Sequence, residues 1–159
     1  MIKPPEMLPF TGDWAAYEQE VYQAFLDTFV NASIQFRGMP VRSRYRPATR
    51  GMGYSFWHTI SEAPDPSNRR EEDRIPDIRR CERIRWLSWA IGNAGGSRVD
   101  WWENRRGNNT HIVIWARDFD FAVVLAKRKG YYVLKTAYAE IQHHTQRKFE
   151  AELAAFHAP

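Results

Sequence analysis

With 159 residues, 43% of them apolar and 14% aromatic, the chain suits one domain with a substantial core and is too apolar for wholesale disorder. The net charge of +4, a pI near 9.4 and 18 arginines against 5 lysines favour a polyanionic partner, because the guanidinium fork matches phosphate and stacks on bases. No apolar run reaches the roughly 18 residues of a membrane helix. The lead MIKPPEMLPF has no signal-like apolar stretch, and the single Cys81 rules out an internal disulfide, so a cytoplasmic location without a membrane partner is the expectation.

In chain order, Asp13 is a helix N-cap, and the spacing of Trp14, Tyr17, Val21, Phe25 and Phe29 predicts a helix to about residue 30 with one buried face. Two extended pieces follow, Ala32–Arg37 and Val41–Arg46, split by Gly38-Met39-Pro40. Arg37, Arg42, Arg44, Arg46 and Arg50 fall here with no acidic residue among them. They read either as a basic ribbon for a phosphate backbone or as a charged edge that resists aggregation.

After Gly51-Met52-Gly53 come Tyr54-Ser55-Phe56-Trp57-His58 and a polar, mobile loop over 63–74. Pro76 opens a predicted helix to about Ile91. Four strands follow, Val99–Glu103, His111–Arg117, Phe121–Lys127 and Tyr131–Tyr138, whose short joints force antiparallel neighbours. A last helix over about 139–156 turns Ile141, Phe149, Leu153 and Phe156 inward. The fold class is α+β: N-terminal helices, then a four-stranded antiparallel meander, then a C-terminal helix.

Several residues can carry chemistry. Cys81, Ile84, Leu87 and Ile91 share an apolar helical arc, and Arg80 falls inside it. A buried guanidinium needs an acceptor, either a carboxylate of the protein or a phosphate of a ligand. Arg79 and Arg83 lie on the adjacent face, where a charged stripe is more often simply solvated. His58 titrates near neutrality and follows an aromatic pair, which suits a cleft rim. His111 alternates into a strand as a packing residue. Thr136 and Tyr138 share one face of the last strand, and Lys135 lies on the other. The chain has no CxxC, HExxH, Walker or GxGxxG pattern, so neither a metal nor a cofactor is expected. Cys81 reads as a core residue rather than a nucleophile.

The stretch Phe121-Ala122-Val123-Val124-Leu125, a basic turn, and Tyr131-Tyr132-Val133-Leu134-Lys135-Thr136-Ala137-Tyr138 resembles the last two strands of the barnase/EndoU/colicin/RelE-like ribonuclease superfamily. With Phe56-Trp57-His58, Pro76-Asp77 and the arginine helix Arg79–Trp86, it resembles the phage-associated branch. The resemblance spans about residues 54–145 and leaves 1–50 unmatched; with the length of a single domain, 1–159, the chain reads as a helical and basic extension (1–50) before a ribonuclease-like core (51–159).

It also implies a toxin-type, metal-independent endoribonuclease. The RNA 2′-hydroxyl attacks the adjacent phosphorus and leaves a 2′,3′-cyclic phosphate. His58 is then the acid or base, Arg80 with Arg83 or Arg79 stabilises the transition state, Thr136 binds a phosphate oxygen, and Tyr138 donates a proton or stacks on a base. Lys135 holds the substrate, joining Thr136 only where the strand twists or bulges; Arg42, Arg44 and Arg46 lie outside the resemblance and are read as substrate-binding from the basic ribbon alone. Its partners are RNA and an acidic antitoxin or immunity protein. The alternatives are a non-catalytic RNA- or DNA-binding module and a purely structural component.

Overall fold

Asp13 caps the first helix: its side chain accepts from Ala16 N at 3.4 Å, a contact worth about 1 kcal/mol. The computed structural model describes residues 2–96 and 98–159. Helix α1 spans Trp14–Phe25 and widens into one π-helical turn at Leu26–Val30, so the predicted extent is met. Tyr17, Val21, Phe25 and Phe29 are buried, as their spacing requires.

Strands β1 (Gln35–Phe36) and β2 (Met39–Arg42) form a hairpin through Arg37-Gly38. Both turn residues have positive φ, 50° and 80°, the conformation of a two-residue hairpin turn, which is why glycine stands at the second position. Helix α2 (Tyr54–Ile60) follows, where no helix was expected. A small two-stranded ribbon joins β3 (Ser61–Glu62) to β4 (Ile75–Pro76), and the loop between them carries a 3₁₀ turn at Glu71–Asp73.

The helix predicted over 76–91 is two short ones, α3 (Ile78–Glu82) and α4 (Trp86–Gly92). Asp77 caps α3 by accepting from Arg79 N, and Pro76 belongs to β4 instead. The backbone leaves helical geometry at Arg83, with φ −104° and ψ 22°. Cys81, Ile84, Leu87 and Ile91 are nevertheless all buried.

The meander consists of β5 (Val99–Arg106), β6 (Asn109–Ala116), β7 (Phe121–Lys127) and β8 (Tyr132–Ala139). The α+β class holds, but the sheet is larger than the predicted four antiparallel strands. It is a curled, mixed sheet of six in the order β1-β2-β8-β7-β6-β5. Val41 and Arg42 pair in parallel with Tyr132 and Val133. The reason is physical: a meander leaves its last strand with an open row of hydrogen-bonding groups, and β2 covers part of it.

Both sheet faces are covered. Helices α1 to α4 pack on one, and α5 (His143–His157) packs on the other through Phe149, which meets Trp102, Trp115 and Tyr138 at 5.4–5.6 Å. This explains why Phe121 to Ala126 are all buried and read as a continuous apolar run. Ile141 is buried but precedes α5, and Phe156, expected inward, is 39% exposed with its ring against Trp101. Among the described residues no helix is long and apolar enough to cross a membrane.

Candidate active site

The feature that organises the site is a bulge in β8. Leu134 pairs with Leu125 and Thr136 with Val124, so Lys135 has no partner on β7. Alternation is broken there. Tyr132 and Leu134 point into the core beneath α1–α4, but after the bulge Ala137 and Ala139 take over that side. Thr136 and Tyr138 therefore turn to the α5 face, where rows Val113–Val124–Thr136 and Trp115–Ala122–Tyr138 cross the sheet. The Leu134 carbonyl, beside the extra residue, accepts from the buried Ser55 Oγ at 3.1 Å. Ser55 Oγ in turn accepts from Arg44 N at 2.7 Å, which ties α2, the post-β2 segment and the bulge together.

Because β2 pairs with only two residues of β8, α2 packs against the rest of that edge and delivers His58. Helix α5 covers only one end of its sheet face. At the other end His58, Glu62, Arg74, Arg106, His111, Lys135, Thr136 and Tyr138 line a cavity of about 300 Å³.

His58 is held from two sides. Its Nε2 meets Glu71 Oε1 at 2.7 Å, and its ring stacks on Tyr54 with centroids 3.9 Å apart. Burial pushes its pKa below the ordinary histidine value, the Glu71 hydrogen bond opposes that shift, and the Arg74 charge adds to it. At neutral pH this imidazole is neutral and able to accept a proton. Since Glu71 engages Nε2, Nδ1 is the nitrogen free to do so.

His111 is also shifted down, first by burial and then by Arg106 and Lys135, and its Nδ1 is buried without a hydrogen-bond partner among the described residues. Burial and the charges of Arg128 and Arg44 lower the Lys135 ammonium as well. Arg74 is anchored on Ser61, through Nε to the hydroxyl at 3.0 Å and Nη2 to the carbonyl at 2.5 Å.

Of the residues singled out from sequence, the fold thus gathers His58, Lys135, Thr136 and Tyr138. Arg80 and Arg79 line an adjoining cavity that shares Glu62 and Tyr138 with the first. Arg80 is only 6% exposed, ion-pairs with Glu62 and Asp77, and lies 5.7 Å from the centre of the Tyr138 ring. Its Nε and Nη1 are buried without hydrogen bonds. Arg79 is exposed and paired with Asp77 and Glu140. Arg83 is not brought to either cavity: it lies over Trp86 and donates to the Arg79 carbonyl.

Arg42 and Arg44 line a third cavity, which meets the first at Lys135. Arg46 is exposed outside it, and its carbonyl accepts from Arg44 Nε at 2.6 Å.

Sequence reasoning missed Glu71, Arg74, Arg106 and His111. For His111 a signal existed. It lies two residues before Val113, so strand alternation places it on the same face as Val124 and Thr136 once the register is known. Among the described residues no three His, Cys, Asp or Glu side chains gather as a metal-binding group. Comparison with protein-family models, curated proteins and solved structures returned no match.

Proposed function

We propose that the chain is a toxin-type endoribonuclease that cleaves RNA through the substrate's own 2′-hydroxyl, as the resemblance of its last two strands to the barnase/EndoU/colicin/RelE-like superfamily implies. The observation that carries the reading is the Lys135 bulge, which brings Lys135 and Thr136 of one strand to a single cavity, where His58 of α2 and His111 of β6 also lie.

The chemistry needs three things, and residues for each are at hand. His58 Nδ1 takes the proton of the 2′-hydroxyl as that oxygen attacks phosphorus, and Glu71 on Nε2 stabilises the resulting imidazolium. Lys135 and Arg74, with the Thr136 hydroxyl, face the charge that builds on the phosphate oxygens. The P–O5′ bond breaks as the leaving oxygen takes a proton from the imidazolium form of His111; burial, Arg106 and Lys135 disfavour that form in the free protein, and the substrate's phosphate anion opposes them. The products are a 2′,3′-cyclic phosphate and a 5′-hydroxyl. Arg80 acts here as a positioning residue beneath Tyr138. An intracellular enzyme of this kind needs an inhibitor, and a basic cleft is matched by an acidic one.

The test is incubation of the purified protein with total bacterial RNA in excess EDTA, beside His58→Ala. Fragments ending in cyclic phosphate with the wild type and none with the variant are expected. Intact RNA in both, with folded protein at low salt, overturns the ribonuclease reading and leaves a nucleic-acid-binding module.

A further inference from the structure

We infer that the cavity between the end of β2 and the start of β8 is a subsite for one nucleotide of single-stranded RNA next to the cleaved phosphate. The inference rests on the ribonuclease reading for the word cleaved, but its own support is separate.

Charge is the first support. Arg42, Arg44, Arg128 and Lys135 line this cavity, and no carboxylate does. None of the three arginines makes an ion pair among the described residues, whereas Arg79, Arg80, Arg98 and Arg117 each carry at least one carboxylate. The fold leaves these particular guanidinia without an acidic partner among the described residues, and the charges of Arg128 and Arg44 add to the burial that lowers the neighbouring Lys135 ammonium. An anion relieves that repulsion.

Aromatic interleaving is the second support. The Arg42 guanidinium lies 4.6 Å from the centre of the Tyr131 ring, and that of Arg44 lies 4.4 Å from the centre of Tyr54. A stacked guanidinium is held flat: its outer face can stack on a base, and the N–H groups it has not already used, as Arg44 Nε is used on the Arg46 carbonyl, remain for a phosphate. Tyr54 also stacks on His58, so the subsite and the reaction centre share a wall.

Size is the third. A volume of about 320 Å³ lies at the small end of ligand pockets, which suits one nucleotide rather than a stacked run. Bases paired in an A-form helix cannot enter such a cavity, so the substrate is unpaired at this position. Lys135, common to both cavities, bridges the bound nucleotide and the scissile phosphate.

The experiment compares wild type with the double variant Arg42→Gln, Arg128→Gln. Both side chains are exposed, so the fold tolerates the change. Binding is read by fluorescence anisotropy on a single-stranded 2′-deoxy oligonucleotide, which cannot be cleaved by this route, and on the matched duplex. The expected results are preference for the single strand, at least tenfold weaker binding by the variant, and a log Kd–log salt slope smaller by about 0.7, the value for the one phosphate of the bound nucleotide that the two arginines no longer neutralise. On cleavable RNA the variant raises KM by more than it lowers kcat. Equal binding by variant and wild type overturns the subsite even where RNA is cleaved, and duplex preference overturns the single-strand assignment. Weaker binding by the variant with no cleavage by any form upholds the subsite while the ribonuclease reading fails.

Discussion

Lys135 and Thr136 are adjacent in sequence yet line the same cavity, which an unbroken strand forbids. The bulge between the Leu125–Leu134 and Val124–Thr136 pairs reconciles them, and Ser55 secures it from α2. The unpaired lysine is therefore a built feature of the strand rather than an irregular end. Lys135→Met keeps the length of the side chain and removes the charge. It is expected to lower kcat about 10²-fold, the cost of removing one charge-stabilising donor, with a Tm close to wild type. Loss of the melting transition instead would make Lys135 a structural residue.

Only part of this was legible beforehand. The meander was, because Gly107-Asn108 and Lys129-Gly130 are turn chemistry between β-branched runs. The arc Cys81-Ile84-Leu87-Ile91 was as well, since the break at Arg83 keeps those side chains pointing inward. The parallel pairing of Val41 with Tyr132 was not, because partners so far apart in the chain leave no local pattern. Helix α2 is seven residues of aromatic and β-branched character, a composition that favours strands, and only burial of Phe56, Trp57 and Ile60 makes it helical. The bulge defeated simple alternation at Lys135, the position on which the site depends.

Protonation of the two histidines should govern both activity and stability. Each has a folded pKa below the ordinary value of 6.5, so each contributes stability that is fully present above about that pH and is lost as pH falls through the lowered folded value. Thermal melts from pH 8 to pH 4.5 are expected to show a flat region above neutrality and a decline beginning near the unfolded histidine value. In His58→Phe the decline shrinks. The acid limb of the kcat/KM profile, which reports neutral His58, lies below the ordinary histidine value.

Glu71 raises the pKa of His58 against the burial that lowers it. Glu71→Gln removes that opposition while keeping a hydrogen-bonding side chain. The His58 resonance in a ¹H–¹⁵N NMR titration is expected to titrate at lower pH than in wild type, and kcat to fall about tenfold because the imidazolium loses its counter-charge. An unmoved resonance would mean that Glu71 does not hold His58 in solution.

Cys81 supplies a clock for the fold. It is fully buried, and burial, with the Asp77 and Glu82 charges, pushes its thiol up to about 12. Since the thiolate is the reactive species, a thiol reagent at pH 8 should label the protein only as fast as it opens globally. Labelling that is fast, or indifferent to mild denaturant, would show local opening around α3.

Arg80 separates structure from chemistry. Its guanidinium is buried, but its partner Glu62 is 64% exposed and Asp77 is partly so. Arg80→Ala leaves a gap beneath Tyr138 and two carboxylates that still reach water, so its cost is about 2 kcal/mol, below that of stranding a buried charge. Urea unfolding measures that loss, and cleavage per folded molecule measures the rest. Because the guanidinium already serves two carboxylates, the activity of the folded fraction should fall far less than in Lys135→Met. If Arg80→Ala instead abolishes turnover at undiminished stability, its two unbonded nitrogens, Nε and Nη1, belong to the phosphate, and the reaction centre extends into the cavity beside Arg79.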